Sequence, residues 1–271
     1  MGYNFNVKTA ISECTNGIVD WFRENGRGCS AVLGISGGKD SSVVAALLCE
    51  ALGAERVVGV MMPNGEQPDI EDSIKLVEYL QIPNFTINIE NAVNAISSQA
   101  DFIKMSSQAM TNLPARIRMA TLYAVAQGLP VADYKERQMI YAAGLKVSGA
   151  RVINTCNMSE DWVGYSTRYG DSVGDYAPIA GFTVEEVIQI GRELGLPEEL
   201  IMKTPSDGLC GKTDEDNLGF RYQDIDNVIR RNGEGVSEEV KRKIESMHLK
   251  NAFKLKVMPS FTPSPRVFKE A

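Results

Sequence analysis

Residues 30–53 read SAVLGISGGKDSSVVAALLCEALG, and this stretch decides the fold. It begins with an apolar run, passes through a turn with two adjacent glycines, and ends in a segment whose apolar residues recur at helical spacing. A further glycine, Gly53, follows where glycine commonly ends a helix. The stretch therefore predicts a buried strand at 30–35, a tight turn and a helix at 40–53.

Three more apolar runs alternate with helical patterns along the first part of the chain. The runs are apolar on both faces, as expected for strands that helices cover on both sides. This alternation predicts an α/β fold: a doubly wound, mostly parallel, Rossmann-like sheet with helices on both faces. The further strands are predicted at 56–63, 85–89 and 150–156, and the helices between them at 69–80, 91–105 and 112–127.

The second half of the sequence is mainly helical. A capping box formed by Thr183 and Glu186 predicts a helix at 183–194, which Gly195 ends. Residues 203–217 are rich in Gly, Pro, Ser and Asp and predict a long loop. Because no internal repeat or linker divides the sequence, a single domain over 1–271 is expected. The remaining helices are predicted at 133–143, 222–231 and 237–249.

Composition excludes several classes of protein. The net charge of −7 argues against a protein that coats nucleic acid, because nonspecific affinity for nucleic acid comes from Lys and Arg. No apolar run approaches the roughly 20 residues of a membrane span, and the first residues lack the apolar region of a signal peptide. Five cysteines without a CxxC pair fit a reducing cytoplasm. With one histidine, His248, which is expected to be solvated, the chemistry must rely on carboxylates, lysines, arginines and main-chain amides.

The segment GISGGKDSS, from Gly34 to Ser42, has the composition of a phosphate-binding loop. Its glycines let the backbone approach a phosphate, and the following helix offers free N–H groups and a positive dipole end. The carboxylate of Asp40 would be repelled by a bare phosphate, so its presence points to Mg²⁺ between it and the phosphate oxygens. The alternative is an ordinary Gly-Gly turn in which Asp40 is the helix N-cap. The spacing matches neither a Walker A motif nor the three-glycine dinucleotide fingerprint.

Three other stretches carry candidate binding residues. In LPARIRM, at 113–119, the two arginines would point about 200° apart on a helix, so one could bind an anion while the other makes a structural ion pair. Solvation at the surface is the alternative for both. In NTCNMSEDW, at 154–162, Glu160 is either a carboxylate favoured by a helix start or a second Mg²⁺ ligand. Residues 165–178 interleave glycines, acids and aromatics, which suits either a wall around a flat polar ligand or an ordinary ordered loop.

The phosphate loop resembles that of the N-type ATP pyrophosphatases. Together with A-R-x-R-M, T-x-x-x-x-E, Y-G-D-x-x-x-D and T-D-E, in that order over residues 34–254, it is similar to the ammonia-dependent NAD⁺ synthetases. The resemblance implies an adenine nucleotide alpha-hydrolase-like fold and the ATP-dependent amidation of deamido-NAD⁺ through an adenylate. It also implies Mg²⁺, a homodimer, and ammonia rather than glutamine as nitrogen donor, since 1–271 leaves no room for a glutaminase domain.

The resemblance assigns roles by position. For the reaction itself, Lys39 is expected to stabilise the leaving pyrophosphate, and we hypothesise that Asp175 binds ammonium or accepts its proton; these two are the catalytic candidates. Mg²⁺ would bind Asp40 and Glu160. ATP would contact Gly34, Ile35, Ser36, Gly37, Gly38, Lys39, Asp40, Ser41, Thr155 and Ser206, and deamido-NAD⁺ would contact Arg116, Arg168, Asp175, Phe253 and Lys254.

The sequence departs from the family pattern at several positions. Val184 stands where the family usually has an ATP-binding lysine, and Phe253 replaces a histidine. The segment 128–150 is longer than the pattern and is expected to add a surface helix or an oligomer contact. Two alternatives stay open: another adenylating amidotransferase of the GMP synthetase type, and a nucleotide-binding relative that has lost its chemistry.

Overall fold

The computed structural model describes residues 3–100, 103, 105–129, 148–203, 213–256, 258 and 260–262. Four strands and eleven α-helices lie within these residues. The strands are β1 (Ser30–Gly34), β2 (Val57–Met61), β3 (Asn84–Thr86) and β4 (Ala150–Val152). The helices are α1 (Val7–Asn25), α2 (Lys39–Leu52), α3 (Ile70–Leu80), α4 (Glu90–Gln99), α5 (Ser107–Gly128), α6 (Met158–Val163), α7 (Val184–Glu193), α8 (Glu198–Ile201), α9 (Asp214–Leu218), α10 (Tyr222–Arg230) and α11 (Glu238–Asn251).

The four strands form one parallel sheet in the order β3-β2-β1-β4. All of β2 and the first four residues of β1 are buried. Such apolar strands require cover on both faces, because a parallel sheet is formed by crossovers that place helices on its faces. The predicted doubly wound parallel sheet is confirmed.

Two hydrophobic clusters cover the two faces of the sheet. Side chains alternate along β1, so Ala31 and Leu33 face one cluster while Val32 faces the other. The first cluster includes side chains of α1, α2, α3 and α7, and the second includes side chains of α4 and α5. The chain therefore crosses to the opposite face between β3 and β4.

This change of face creates a topological switch point beside β1. One crossover leaves β1 for β2, whereas the later one returns to place β4 on the other side of β1. The loops at the carboxyl ends of β1 and β4 therefore diverge and leave a crevice, which is where open α/β sheets bind ligands.

A third cluster packs α6, α9, α10 and α11 together beyond the sheet. Its members include Val163, Leu218, Ile225 and Ile244. This cluster also corrects the expectation for His248, whose ring stacks on Trp162 with ring centroids 4.0 Å apart and whose Nδ1 lies 2.9 Å from the Trp162 carbonyl oxygen. His248 is therefore a packing residue that holds α11 against α6.

Several element boundaries differ from the predictions. The sequence analysis missed α1, and it extended the strands at 85–89 and 150–156 beyond the short pairings of β3 and β4. The end of the predicted loop at 203–217 overlaps α9, and residues 204–212 of that loop lie outside the described residues. The helix predicted at 91–105 ends at Gln99. The capping box of α7 is confirmed. The helix predicted at 133–143 lies outside the described residues.

Among the described helices, none combines the length and the apolar character needed to cross a bilayer.

Candidate active site

The phosphate loop joins β1 to α2 through a conformation that requires glycine at one position. Gly37 has φ +71°, and a Cβ atom there would lie 2.7 Å from the backbone of Asp72 and Ser73 at the start of α3. Gly38 is the N-cap of α2, and no side chain caps this helix end. The first turn of α2 therefore presents backbone N–H groups at the switch point. Asp40 is the second residue of the helix, so the alternative in which it is the N-cap is wrong.

Hydrogen bonds of serine hydroxyl groups stabilise the conformation of the phosphate loop. The Ser36 and Ser41 Oγ atoms lie 3.1 Å apart, and the Gly38 N–H donates to Ser36 Oγ at 3.3 Å. Ser41 and Ser42 both donate to the Gly38 carbonyl oxygen, at 3.1 and 2.9 Å. These bonds preorganise the loop, which lowers the entropy cost of binding an anion.

Lys39 is a buried cation at the start of α2. Its side chain is 4% exposed, and Nζ lies 2.8 Å from Asp40 Oδ2 and 3.9 Å from Glu160 Oε1. The Tyr222 ring centroid is 5.4 Å away. Burial alone would lower the pKa of Lys39, but the charges of Asp40 and Glu160 raise the pKa above its ordinary value, so the amine stays protonated. A fixed positive charge thus lies beside the uncapped end of α2.

Asp40 and Glu160 form a carboxylate pair that Asn157 connects. Asn157 Nδ2 donates to Asp40 Oδ1 at 3.0 Å, and Asn157 Oδ1 accepts the Glu160 N–H at 3.0 Å as the N-cap of α6. Burial, and then repulsion from Asp40, raise the pKa of Glu160 to about 8. Two carboxylates that destabilise each other in this way favour a bound cation.

The donor set fits a divalent cation that takes its remaining ligands from a bound nucleotide. Within the described residues, no group of three or more His, Cys, Asp and Glu side chains could hold a metal alone. Mg²⁺, however, is commonly bound by one or two carboxylates together with phosphate oxygens and water. The pair formed by Asp40 and Glu160 matches that requirement.

The turn after β4 positions this pair. Asn154 is buried, and its side chain donates to the Asp171 carbonyl oxygen at 2.8 Å and accepts the Cys156 N–H at 2.8 Å. Thr155 lies between them and is half-buried. Because the turn follows β4, it brings Thr155 and Glu160 to the carboxyl edge of the sheet. Ser206 lies outside the described residues.

Four residues assigned separately to the dinucleotide come together at one place. Arg116 Nε donates to the Arg168 carbonyl oxygen at 3.4 Å, and the Arg168 guanidinium lies 5.3 Å from the Phe253 ring centroid. Lys254 Nζ, one residue further, donates to the Gly164 carbonyl oxygen at 2.6 Å. Sequence analysis missed Tyr169, whose ring lies 4.9 Å from the same guanidinium and is 49% exposed. An exposed aromatic beside an arginine is the signal that could have found it.

Asp175 lies apart from the carboxylate pair. Its Oδ2 accepts the Val152 N–H at 2.8 Å and its Oδ1 accepts the Tyr123 hydroxyl at 3.3 Å. Val152 is in register with Val32, two residues before the end of β1. The chain's own donors therefore hold this carboxylate at the outer edge of the sheet.

Val184 is the first residue of α7 and is buried in the third cluster. Its N–H donates to Ser159 Oγ at 3.0 Å, and Ser159 in turn donates to Asp226. The residue that replaces the family's usual lysine thus packs into the protein and contributes no charge to the site.

A parallel sheet with an uncapped, glycine-rich loop at its switch point defines the chain as a nucleotide-binding, doubly wound α/β protein. The sequence model of the NAD synthase family matches residues 10–131 and 135–258. The chain belongs to the NAD synthase family.

Relatives and solved structures agree with this assignment. The chain is 35% identical over 243 residues to the NH(3)-dependent NAD(+) synthetase of Pyrococcus furiosus, covering 85% of this chain and 86% of the relative. It is 41% identical over 204 residues to the protein of that name from Methanococcoides burtonii, covering 74% of this chain and 70% of the relative. The fold is similar to that of NMN synthetase from Francisella tularensis, with a TM-score of 0.79 and 30% sequence identity. The match covers 96% of this chain and 99% of that structure. It is also similar to that of the NH3-dependent NAD synthetase of Campylobacter jejuni, with a TM-score of 0.72 and 26% sequence identity. This match covers 96% of this chain and 100% of that structure.

Proposed function

We propose that the chain is an ammonia-dependent NAD⁺ synthetase, which amidates deamido-NAD⁺ at the expense of ATP and releases AMP and pyrophosphate. The observation that carries this proposal is Lys39, a buried cation beside the uncapped start of α2 and between Asp40 and Glu160. Such an arrangement suits the departure of pyrophosphate rather than nucleophilic catalysis by a side chain. The names of relatives that match over most of their length supply the acceptor and the nitrogen donor.

The first step forms an acyl adenylate. A carboxylate oxygen of the pyridine ring attacks the α-phosphorus of ATP, the bond from that phosphorus to the bridging oxygen breaks, and pyrophosphate leaves with the electron pair. The N–H groups of residues 34–41 and the ammonium of Lys39 would bind the pyrophosphate as its charge develops. Thr155 and Ser206 would also contact ATP.

The second step transfers nitrogen. Ammonia attacks the acyl carbon, the bond from that carbon to the phosphate oxygen breaks, AMP leaves with the electron pair, and the attacking nitrogen loses a proton. Asp175 would bind ammonium or accept that proton, because each of its oxygens keeps a free lone pair beside its present donor. Arg116, Arg168, Phe253 and Lys254 would hold the dinucleotide.

Asp40 and Glu160 would bind Mg²⁺ together with the ATP phosphates. When bound, this ion supplies positive charge that neutralises the phosphate oxygens and makes pyrophosphate a better leaving group. Asn157 orients Asp40 and caps the helix that carries Glu160, so it fixes the separation of the two ligands.

A homodimer in a reducing cytoplasm is part of the proposal. Only Pro114 and Ala126 are buried among the 22 residues of α5. Met110 on this helix, Ile96 on α4 and Ile103 between them are 43%, 44% and 55% exposed. We assign this α4–α5 surface to contact with a second copy, because so few residues of this long helix are buried by the described part of the chain. Light scattering at micromolar concentration should give twice the monomer mass, and a monomer would contradict the assignment.

A second candidate substrate is nicotinate mononucleotide, which has the same pyridine carboxylate but lacks the AMP half. The similarity to an NMN synthetase over 96% of this chain favours it.

One assay tests both. Purified protein is given ATP, Mg²⁺ and either ammonium or glutamine, with deamido-NAD⁺, nicotinate mononucleotide or XMP as acceptor. Formation of NAD⁺ and AMP in equal amounts from ammonium supports the proposal. Amidation of the mononucleotide alone, or of XMP alone, would instead identify that compound as the substrate. ATP binding without AMP release would identify a non-catalytic relative.

A further inference from the structure

Arg118 extends from α5 over the carboxyl edge of the sheet. Its Nε donates to the Met62 carbonyl oxygen at 3.1 Å. Met62 lies two residues beyond Val60, the register partner of Gly34, so this carbonyl group lies past the end of β2 and beside the phosphate loop. The same contact region includes Leu122, one turn after Arg118. A Cβ on Gly34 would lie 3.2 Å from Met62 Cε and 3.9 Å from Leu122 Cδ1.

The charge of Arg118 lacks a close carboxylate. Across the described ranges, its guanidinium makes one hydrogen bond and has no ion pair within 4.0 Å. Burial lowers the pKa of Arg118, and the charge of Asp171 offsets only part of that effect. Lys39 and Arg230 differ, since each lies within 4.0 Å of a carboxylate. Its other four N–H donors have no partner among the residues that the structure describes. Such a partly buried guanidinium is stabilised when an anion binds, because an uncompensated buried charge is costly.

The position of Arg118 determines which anion it meets. The phosphate loop leads into α2 on one face of the sheet, whereas α5 lies on the other face. In phosphoryl transfer the attacking and leaving oxygens are roughly in line across phosphorus. With pyrophosphate at the start of α2 and the α-phosphorus on the side toward α5, an in-line attacking group would approach from the α5 side.

We propose that Arg118 binds the attacking pyridine carboxylate of the substrate and orients it toward the α-phosphorus of ATP. This assignment rests on the proposed function and applies equally to deamido-NAD⁺ and nicotinate mononucleotide, which share the carboxylate. A guanidinium suits the task because its planar fork matches two carboxylate oxygens. Its charge also offsets the repulsion between the carboxylate and the triphosphate as they approach.

The test compares an acid with its amide. Calorimetry measures the binding of deamido-NAD⁺ and of NAD⁺ to wild type and to Arg118→Met, in Mg²⁺ and without ATP. A charge-assisted contact to the carboxylate predicts that Arg118→Met loses about 10- to 100-fold in affinity for the acid and nearly nothing for the amide. Arg118→Lys should recover part of the loss. Arg116→Met removes a charge two residues away and should weaken both ligands alike, because Arg116 contacts Arg168 and not the sheet edge.

Other outcomes overturn the assignment. If Arg118→Met lost affinity equally for deamido-NAD⁺ and NAD⁺, the role of Arg118 would be structural. If it lost affinity only for α,β-methylene ATP, Arg118 would bind phosphate and not the carboxylate. Wild type that shows no preference for the acid would also contradict it. The failure of the proposed function is separate, since it is read from the absence of any NAD⁺ formed by wild type.

Discussion

Asn157 and Asp40 are joined by a 3.0 Å hydrogen bond that connects the start of α6 to the first turn of α2. The same amide caps α6 by accepting the N–H of Glu160. One buried side chain therefore determines how far apart the two carboxylates lie. This arrangement brings together Asp40 and Glu160, which are 120 positions apart in sequence, as the proposed cation site requires.

Asn157→Ser should separate the two roles of this amide. Serine still caps a helix but is too short to reach Asp40, so the melting temperature should change little while affinity for the cation falls about 10-fold, as is common when a group that orients a metal ligand is lost. The measurement is Mn²⁺ binding followed by electron paramagnetic resonance with α,β-methylene ATP. Asn157→Ala is the control, and it should also lose about 1 kcal/mol of stability with the cap. Unchanged Mn²⁺ affinity in Asn157→Ser would rule out the orienting role.

Gly37→Ala and Gly38→Ala should differ sharply although they are adjacent. Gly37 has φ +71° and a Cβ there would lie 2.7 Å from backbone atoms, whereas Gly38 has φ −91° and its nearest contact would be 3.5 Å. We expect Gly37→Ala to lose more than about 2 kcal/mol of unfolding free energy, since left-handed strain and backbone overlap add together. Gly38→Ala should remain within about 1 kcal/mol of wild type. Urea unfolding of both variants tests this, and equal losses would contradict the described loop conformation.

Asp175→Asn tests whether this carboxylate takes part in amidation. Neutralising it should slow the reaction of ammonia with preformed acyl adenylate, because an amide neither binds ammonium well nor accepts its proton. The measurement is single-turnover quench flow, with adenylate formation and NAD⁺ formation followed separately. Tyr123→Phe is the matched control, since it removes the 3.3 Å bond to Asp175 and leaves the carboxylate charged. Normal amidation in Asp175→Asn would remove the catalytic role and leave Asp175 as a group that binds the end of β4.

Local sequence patterns predicted the elements whose signals are complete within a few residues. The strand, glycine turn and helix of 30–53 lie in one run, and the Thr183 capping box is a four-residue signal. Helix α1 carried a recognisable pattern too, with Cys14, Ile18 and Phe22 at four-residue spacing, but the residues between them mix polar and apolar types. The predictions for β3 and β4 ran past the ends of these strands because Ile87, Ile89 and Ile153 follow them and still donate backbone hydrogen bonds to the adjacent segment of the chain.

Residues of the candidate site were predicted only where they belong to a recognised sequence motif. Both arginines of LPARIRM were noted, and helical geometry correctly separated them, but sequence offers no sign that Arg118 meets the Met62 carbonyl. The same holds for the Trp162–His248 stack, which depends on how α11 packs against α6. Contacts between elements distant in sequence are decided by tertiary packing, which no local pattern records.

Phe253 and Arg168 give a final prediction with a pH dependence. The guanidinium lies 5.3 Å from the ring, which is 52% exposed, so Phe253→Ala should raise KM for the dinucleotide several-fold and leave kcat nearly unchanged.

Phe253→His, the usual family residue, restores a ring that titrates near 6.5 in water, and the positive charge of Arg168 lowers the pKa of that imidazole further. Above pH 7 the ring is neutral and stacks, so KM should match wild type. Below about pH 6 a growing fraction becomes imidazolium, which Arg168 repels, and KM should rise relative to Phe253→Tyr, whose ring does not titrate there. A KM ratio between these two variants that stays constant from about pH 5 to 8 would show that the ring does not contact the guanidinium in the working enzyme.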